Sequence, residues 1–343
     1  MKTLAAHRDA LPSGSATEAR DSGLARPPAD RVGLRHLSLS ILTHARPATL
    51  LANLRQLAPL FDELGEVIVV DNDPAGTAAR LVALEFPAVR ALRTGRNLGA
   101  VGRNAGMRSA CGEIVITLDD DVFGLCIDDC RRIADRFAAD PRLGAVVFRS
   151  LHHATRRTCN WCHHCKPEDH DRTEFRTYEI CEGTVAFRKT ALEQAGYYWE
   201  PLFMSHEGLD LACRITSAGY TVLYDGGITL VHHLADGGRT SWRRYYFDTR
   251  NQFWVALRNM PWRTAIGYLA RGQTTMLIYA LRDGQLRYWL RAVRDAAAGW
   301  RQAYRSRQRW SPAMQAVYDD LNRARAPFLY LVRRRLFRRG IGI

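Results

Sequence analysis

The segment I-V-I-T-L-D-D-D, residues 114–121, joins five apolar or β-branched residues directly to three aspartates. Such a run is typical of a β-strand, because branched side chains pack well on a pleated sheet. Three adjacent carboxylates repel one another unless a cation or hydrogen-bond donors compensate their charge. The segment therefore predicts a strand that ends in a charged site.

Strand, loop and helix alternate on both sides of this segment. Residues 37–43 alternate apolar and small polar side chains as a strand does, and Pro47 can open the following helix. Residues 67–70, V-I-V-V, are typical of a strand buried on both faces. Further strands are predicted at residues 89–92 and 145–148. This alternation predicts a parallel sheet with helices on both faces and right-handed crossovers.

The chain has 343 residues, of which 47% are hydrophobic and 24% charged, and its formal net charge is +14. This composition excludes disorder, collagen and a small disulfide scaffold as descriptions of the whole chain. Residues 262–343 contain 17 arginines and four acids, so nearly all of the net charge lies there. Because the rest of the chain is close to neutral, the charge does not favour a nucleic-acid partner.

These patterns predict a disordered tail at residues 1–35 and an α/β domain at 36–261. The domain carries a Cys/His-rich insertion at 151–178, and a basic amphipathic helical extension follows at 262–343. Eight cysteines in a chain of this length are not dense, so reduced thiols are the expected state. With no apparent signal peptide and no apolar run near the ~20 residues of a membrane span, we expect a cytoplasmic protein.

The extension places Arg between aromatic and apolar residues at helical spacing, as in L-R-Y-W-L-R-A-V-R (286–294) and F-L-Y-L-V-R-R-R-L-F-R-R (328–339). Helices of this kind can lie on an anionic membrane surface, here the inner face of the cytoplasmic membrane. The alternatives are packing on the α/β domain, dimerisation, or nucleic-acid binding.

Polar side chains occupy four predicted strand ends: residues 43–46, 71–73, 95–99 and 119–121. In parallel α/β sheets, ligands bind outside the carboxyl ends of the strands, so these groups should face one crevice. Carboxylates suit Mg²⁺ or Mn²⁺, which commonly bridge protein oxygens to substrate phosphates. A solvated turn is the alternative for the aspartates. The glycine-rich segment 95–106 lacks the position of a dinucleotide fingerprint, because it does not follow the first strand.

Seven motifs occur in an order that resembles the inverting, metal-dependent nucleotide-sugar glycosyltransferases of family 2. The likeness covers residues 37–261 and implies the GT-A fold: a Rossmann-like mixed, mostly parallel sheet with helices on both faces, plus the Arg-rich helical extension. V-H-H and Arg250-Asn251 are similar to the rhamnosyltransferase-like branch. The motifs are S-I-L-T-H-A-R-P (40–47), V-I-V-V-D-N-D (67–73), G-R-N-L-G-A-V-G-R-N-A-G (95–106), I-V-I-T-L-D-D-D-V (114–122), E-G-T-V-A-F-R-K-T-A-L (182–192), H-E-G-L-D-L-A-C-R-I-T-S-A-G-Y (206–220) and L-V-H-H (230–233).

The resemblance implies a donor site and a metal site. Asp71 would accept a hydrogen bond from the base, and Asp119 would lie near the ribose. The metal would be held by Asp119, Asp121 and one histidine of a pair, His232 in preference to His233. A metal there neutralises the diphosphate leaving group. The implied donor-binding residues are Thr43, Arg46, Asp71, Asn97, Gly99, Arg103, Asn104, Asp119 and Asp120.

Inversion needs a general base for the acceptor hydroxyl, and a carboxylate is the usual choice. The family places it in a helix that reads roughly E-D-x-D-L-x-x-R, which corresponds here to residues 207–214. Gly208 replaces the acid often assigned as base, so Glu207 is the first candidate and Asp210 the second. The alternative role for Asp210 is to orient Arg214, four residues further along the helix.

The insertion contains Cys159, Cys162 and Cys165 at the spacing with which thiolates grip a tetrahedral zinc. His170 is the proposed fourth ligand of a structural Zn²⁺, with Cys181, His163 or His164 as other choices. Reduced thiols in an acceptor loop, or disulfide chemistry, are the alternatives.

The predicted function is transfer of a sugar from a nucleoside-diphosphate donor to a hydroxyl of a bacterial cell-envelope glycan or lipid-linked saccharide, using Mg²⁺ or Mn²⁺. A small-molecule acceptor such as a secondary metabolite, or a peptide, is an alternative. A protein of another class, a degenerate transferase that acts as a zinc-stabilised basic lipid- or RNA-binding protein, is favoured by Gly208.

Overall fold

A computed structural model describes residues 33–233, 242–323 and 325. Within this range nine strands form one sheet and twelve α-helices surround or extend it. The strands are β1 (Leu37–Thr43), β2 (Glu66–Asp71), β3 (Arg90–Arg93), β4 (Ile114–Asp119), β5 (Val122–Phe123), β6 (Leu143–His152), β7 (Glu174–Arg176), β8 (Thr184–Arg188) and β9 (Thr221–His232).

The first seven helices lie between β1 and β9 in the chain, and the last five follow β9 consecutively. The helices are α1 (Pro47–Leu57), α2 (Thr77–Glu85), α3 (Arg103–Ser109), α4 (Ile127–Ala139), α5 (Pro167–His170), α6 (Lys189–Ala195), α7 (Glu207–Ser217), α8 (Trp242–Asn259), α9 (Trp262–Arg282), α10 (Leu286–Ala298), α11 (Trp300–Arg305) and α12 (Pro312–Arg323).

The sheet has the order β3-β2-β1-β4-β8-β6-β9-β5, and β7 also pairs with β9. Strands β1 to β4 are mutually parallel, as the alternating pattern predicts. Strand β8 runs antiparallel between β4 and β6, after which β6 and β9 are parallel again. The predicted mixed, mostly parallel sheet is therefore confirmed. The predicted fifth strand, β6, does not pair with β4, because the buried run T-V-A-F-R lies between them.

The register of the central strands brings their polar ends together. Thr43 lies opposite Asp71 in the β1–β2 pair, and Leu42 lies opposite Asp119 in the β1–β4 pair. The run of β2 is buried on both faces, since Val67 and Val69 pack in one core cluster and Ile68 and Val70 in another. The crevice thus lies at the carboxyl edge of a sheet that is packed on both faces.

The described helices of the extension pack on the α/β body. One core cluster joins Leu209 and Cys213 of α7 to Trp254 and Val255 of α8 and to Met314 of α12. The predicted basic run at residues 328–339 lies outside the described residues, as does most of the predicted N-terminal tail. Leu34, within that predicted tail, is buried in the core, so the ordered body extends further toward the N-terminus than residue 36. None of the helices in the described ranges is long and apolar enough to span a bilayer.

Asp210 joins α7 to the extension. One carboxylate oxygen accepts hydrogen bonds from Nε and Nη2 of Arg214, at 3.0 and 2.7 Å. The other accepts from Arg258 and Asn259 at the end of α8. Burial opposes ionisation, but Arg214 and Arg258 outweigh it and lower the pKa of Asp210 below its ordinary value. The carboxylate therefore stays charged and links two helices inside the protein.

We expect Asp210→Ala to destabilise the fold by about 3 kcal/mol or more, because it leaves two buried arginines uncompensated. Since the folded-state pKa of Asp210 is lowered, this contribution is present at neutral pH and is lost as the pH falls through the acidic range. Urea unfolding at pH 7 measures the loss. The matched control is Asp320→Ala, which breaks an exposed pair with Arg323 and should cost less than about 1 kcal/mol. Equal losses for the two variants would contradict this role.

Candidate active site

The three adjacent aspartates at the end of β4 are compensated by two arginines. Arg103, at the start of α3, pairs with Asp119. Arg46, which precedes α1, pairs with both Asp120 and Asp121. The structure thus supplies the cations that the sequence requires at this point.

Burial acts on the pKa of both Asp120 and Asp121, but the net shifts are opposite. It raises the pKa of Asp120 to about 7, against the opposing effects of Arg46 and of a 2.6 Å hydrogen bond donated by the Thr43 hydroxyl. For Asp121, burial acts in the same direction, but His232 and Arg46 outweigh it and lower the pKa. Asp121 is therefore the carboxylate of this pair that remains charged at neutral pH.

Asp119, Asp121 and His232 can hold a metal ion. Their ligand atoms all lie within 4.8 Å of one another, and no other group of three or more acids, histidines or cysteines in the described ranges does so. His232 is brought there by the pairing of β9 with β5, and its Nε2 lies 3.0 Å from Oδ1 of Asp121. Two carboxylates and an imidazole form a donor set that fits Mn²⁺ or Mg²⁺. His233 instead stacks on His153 and packs at a tilt against Phe123.

Asn160 contacts the candidate metal site, although no sequence pattern points to it. Its Nδ2 lies 2.8 Å from Nδ1 of His232, the ring nitrogen that faces away from Asp121. The partner of the second ring nitrogen fixes the orientation of a metal-binding histidine. The Cys/His-rich insertion therefore contributes an asparagine to the site, and only the fold reveals it.

The predicted zinc ligands Cys159, Cys162, Cys165 and His170 are all described, and the structure does not bring them together at one point. Cys162 instead lies against Cys181, and its hydrogen bond with Cys181, together with burial, raises the pKa of Cys162 well above the ordinary thiol value. The alternative ligand His163 is buried among Trp161, Phe175 and Tyr224 and bonded to Thr177. The insertion is thus held by aromatic packing.

Asn72 organises the glycine-rich loop that forms one wall of the crevice. Its amide donates to the carbonyl of Gly99 at 2.9 Å and accepts from the amide of Leu98 at 2.9 Å. Gly99 has φ +66°, and a Cβ there would lie 2.2 Å from the carbonyl oxygen of Phe203, so only glycine fits. Asn97 stays exposed at the rim and accepts a hydrogen bond from the amide of Gly99.

Two of the predicted donor-binding residues are committed to backbone. Asp71 is fully buried, and its oxygens accept from the amides of Asp73 and Ala79 at 3.0 and 2.9 Å. Asn104 is also buried and bonds both the carbonyl and the amide of Tyr198. These residues shape the crevice, and direct contact with the donor stays a prediction for them.

Glu207 and Glu182 form a second carboxylate pair. Glu207 is the first residue of α7, is 2% exposed, and has an oxygen, Oε2, without a hydrogen-bond partner in the described structure. Glu182, which precedes β8, accepts the backbone N–H of Gly208 and so caps the helix that carries Glu207. Burial, followed by the charge of Glu182, raises the pKa of Glu207 well above its ordinary value.

Gly208 has a packing reason in this fold. A Cβ at that position would lie 2.2 Å from the Oε1 atom of Glu182 and 2.2 Å from the carbonyl oxygen of Ile180. The acid that the family pattern has at position 208 would not fit here. Glu182, from another part of the chain, places a carboxylate in that space.

The loop before α7 is strained and is held by the extension. Phe203, Ser205 and His206 have positive φ angles, which cost about 1 kcal/mol or more each for residues other than glycine. The amide of Asn251 in α8 donates to the carbonyls of Leu202, Met204 and Ser205 at 2.7–3.0 Å. Glu207 is therefore positioned by contacts from both the α/β body and the extension.

Asp210, the second base candidate, is surrounded by Arg214, Arg258 and Asn259 and is fully buried. This geometry favours its alternative role, the orientation of Arg214.

The fold and the site together define a glycosyltransferase class: a GT-A sheet with carboxylates and a histidine at its carboxyl edge. Residues 38–196 match the family model described as glycosyl transferase family 2. A relative in Haemophilus influenzae, described as an uncharacterized protein, is 33% identical over 112 residues, which cover 30% of this chain and 57% of that protein. The match thus spans little more than half of the relative.

Solved structures share the fold. The mannosyltransferase PcManGT from Pyrobaculum calidifontis, in complex with GDP-Man and Mn²⁺, superposes with a TM-score of 0.51 at 20% identity over 88% of this chain and 87% of that chain. TarS residues 1–349 from S. aureus gives 0.50 at 13% identity, over 83% and 91%. GalNAc-T7 with UDP, GalNAc and Mn²⁺ gives 0.50 at 15% identity, but the chain spans only 51% of that protein.

We expect Asn160→Ala to weaken Mn²⁺ binding by about tenfold, because it releases the ring of His232 while leaving all three ligands in place. Calorimetric titration with MnCl₂ measures the dissociation constant. Asn322→Ala, which alters an amide on α12, is the matched control and should bind Mn²⁺ like the wild type. Unchanged affinity in Asn160→Ala would show that the hydrogen bond does not support a metal ligand.

Proposed function

We propose that the protein transfers a sugar, with inversion, from a nucleoside-diphosphate-sugar to an acceptor hydroxyl. The observation that carries the proposal is the cluster of Asp119, Asp121 and His232, within 4.8 Å, at the carboxyl edge of the family 2 sheet. A divalent cation bound there supplies charge neutralisation of the diphosphate leaving group. Mg²⁺ and Mn²⁺ both suit these ligands.

The surrounding chain holds the donor. The side chain of Arg46 is 44% exposed beside the cluster, so its guanidinium can meet a phosphate while it pairs with Asp120. Asn97 offers an exposed amide on the opposite, glycine-rich wall. Arg103 is buried and holds Asp119 in place. Thr43 fixes Asp120 beneath the crevice.

Glu207 acts as the base. The acceptor oxygen forms its bond to the anomeric carbon as its proton passes to Glu207. The bond from that carbon to the diphosphate oxygen breaks, and the electron pair leaves on the nucleotide. The raised pKa of Glu207 makes its carboxylate a stronger proton acceptor than an exposed glutamate.

A bacterial cell-envelope glycan or lipid-linked saccharide is the proposed acceptor, and the rhamnosyltransferase-like branch is the proposed subfamily, on the strength of the V-H-H and Arg250-Asn251 residues. The degenerate binding-protein alternative loses its main argument, because Gly208 makes room for Glu182. The intact metal cluster also favours an enzyme.

The first test is nucleotide-diphosphate release from UDP-, dTDP- and GDP-sugars with Mn²⁺. We expect slow release from one donor without acceptor, reduced about 100-fold or more in Asp121→Ala, which removes a metal ligand. Asp128→Ala, an exposed acid at the start of α4, is the control and should behave like the wild type. Release that persists undiminished in Asp121→Ala, or a failure of every donor both to react and to bind by calorimetry, would overturn the proposal.

The second test is the pH dependence of kcat/KM. Activity should rise with pH as Glu207 loses its proton, because the base is active only when ionised. Glu182→Gln keeps an oxygen for the Gly208 amide but removes the negative charge that raises the pKa of Glu207, so the acid limb should move to lower pH. The other charged or titratable groups that act on Glu207 are Arg103, Tyr198 and Asp248, and they are unchanged.

The control for this profile is Glu193→Gln, an exposed glutamate on α6, whose acid limb should match the wild type. A limb that does not move in Glu182→Gln would show that the two carboxylates are not coupled.

A further inference from the structure

A cavity of about 1040 Å³ opens between residues 179–182 and the helices α8, α9 and α12. Glu182 and Leu209 line it, which places its inner end at the start of α7, beside the carboxylate pair. A cavity of this size accommodates a sugar together with a further group.

One wall of the cavity is a cationic face of α9. Arg263, Gly267 and Arg271 all line the cavity and lie four residues apart, so they share one side of the helix. The two arginines are separated by about 12 Å along the axis. A Cβ at Gly267 would meet no atom within 4 Å, so the space between the arginines is open.

These two arginines differ from the other cavity cations. Arg244 pairs with Asp248 at 3.6 Å, and Arg325 pairs with Glu179 at 3.5 Å. Arg263 and Arg271 form no side-chain ion pair within the described part of the chain, and both are exposed. Asp319 also lines the cavity but accepts a hydrogen bond from Gln315. Two guanidinium groups are therefore available to an anionic ligand, and guanidinium geometry matches phosphate oxygens.

We propose that this cavity is the acceptor site and that the acceptor carries a phosphate group, bound by Arg263 and Arg271, with its reacting hydroxyl at the Glu207 end. This inference rests on the proposed transferase function. The phosphate can belong to a lipid-linked saccharide or to a soluble sugar phosphate. Exposed apolar side chains of Trp262 and Ile266, 58% and 67% exposed, adjoin the arginines on α9 and suit the lipid-linked form.

The test is calorimetric binding in EDTA without nucleotide, so that neither donor nor metal contributes. The probes are glucose 1-phosphate and octyl phosphate, with glucose and octyl glucoside as their uncharged counterparts. The phosphate probes should bind more tightly than the uncharged ones. The Arg263→Ala/Arg271→Ala protein should bind them at least about tenfold more weakly, since hydrogen bonds to charged groups are lost. Arg305→Ala, an exposed arginine on α11 outside the cavity, is the charge control.

Steric blocking gives an independent variant. Gly267→Trp fills the open space between the arginines and should abolish binding of the phosphate probes. Ala270→Trp, an exposed position on the same helix that does not line the cavity, should leave binding intact. Preference for octyl phosphate would identify the lipid-linked source, and preference for glucose 1-phosphate the soluble one.

The proposal is overturned if the phosphate probes bind no more tightly than the uncharged ones, or if the double-arginine and Gly267→Trp proteins bind them like the wild type. Failure of the transferase function is seen separately, in the Mn²⁺-dependent release assay with Asp121→Ala. That assay needs no acceptor, so the two failures are distinguishable.

Discussion

The packing of three consecutive carboxylates, two of them buried and one half-buried, at the end of β4 is the constraint on which the site depends. Such a run is unstable in a protein interior without partners of opposite charge. Arg46 and Arg103 reach the aspartates from the starts of α1 and α3, and His232 reaches them from the far strand β9. The order of the strands and the positions at which α1 and α3 begin therefore bring these compensating groups to the three aspartates. A cation bound there would share this compensation with Arg46.

Buried charged groups also connect the elements around α7 and α8. Asp210 accepts from Arg214 and Arg258 and so ties α7 to α8, while Glu182 caps α7 and stands against Glu207. One carboxylate is held ionised by two arginines. For Glu182 and Glu207, burial outweighs the charge of Arg103 and raises the pKa of both carboxyl groups, so their protons are held more tightly. A helix that carries a structural acid, Asp210, and three residues before it the proposed base, Glu207, can thus serve both stability and chemistry.

Local pattern predicted most of the fold, because each strand and helix of the first 150 residues carries its own periodicity. The apolar runs of β1, β2 and β4 predict strands directly, and sheet geometry predicts that the polar residues at their ends lie together. The position of β8 was not predictable, since strand order depends on long-range pairing. The contributions of Asn160 and Glu182 to the site were not predictable for the same reason. Their partners, His232 and Gly208, are distant in sequence, and neither residue type is distinctive on its own.

Net charge shows the same limit of sequence reasoning. The count of arginines beyond residue 261 suggests one basic surface, yet the described ones have different roles. Arg325 pairs with a half-buried glutamate, Glu179, and Arg282 with the neighbouring Asp283. Arg263 and Arg271 form no ion pair in the described ranges, and they face the cavity that leads to Glu182. An arginine that is already paired with an acid inside the fold attracts an anionic ligand only weakly. The unpaired arginines, and not the net charge of the chain, therefore determine where an anionic ligand would bind.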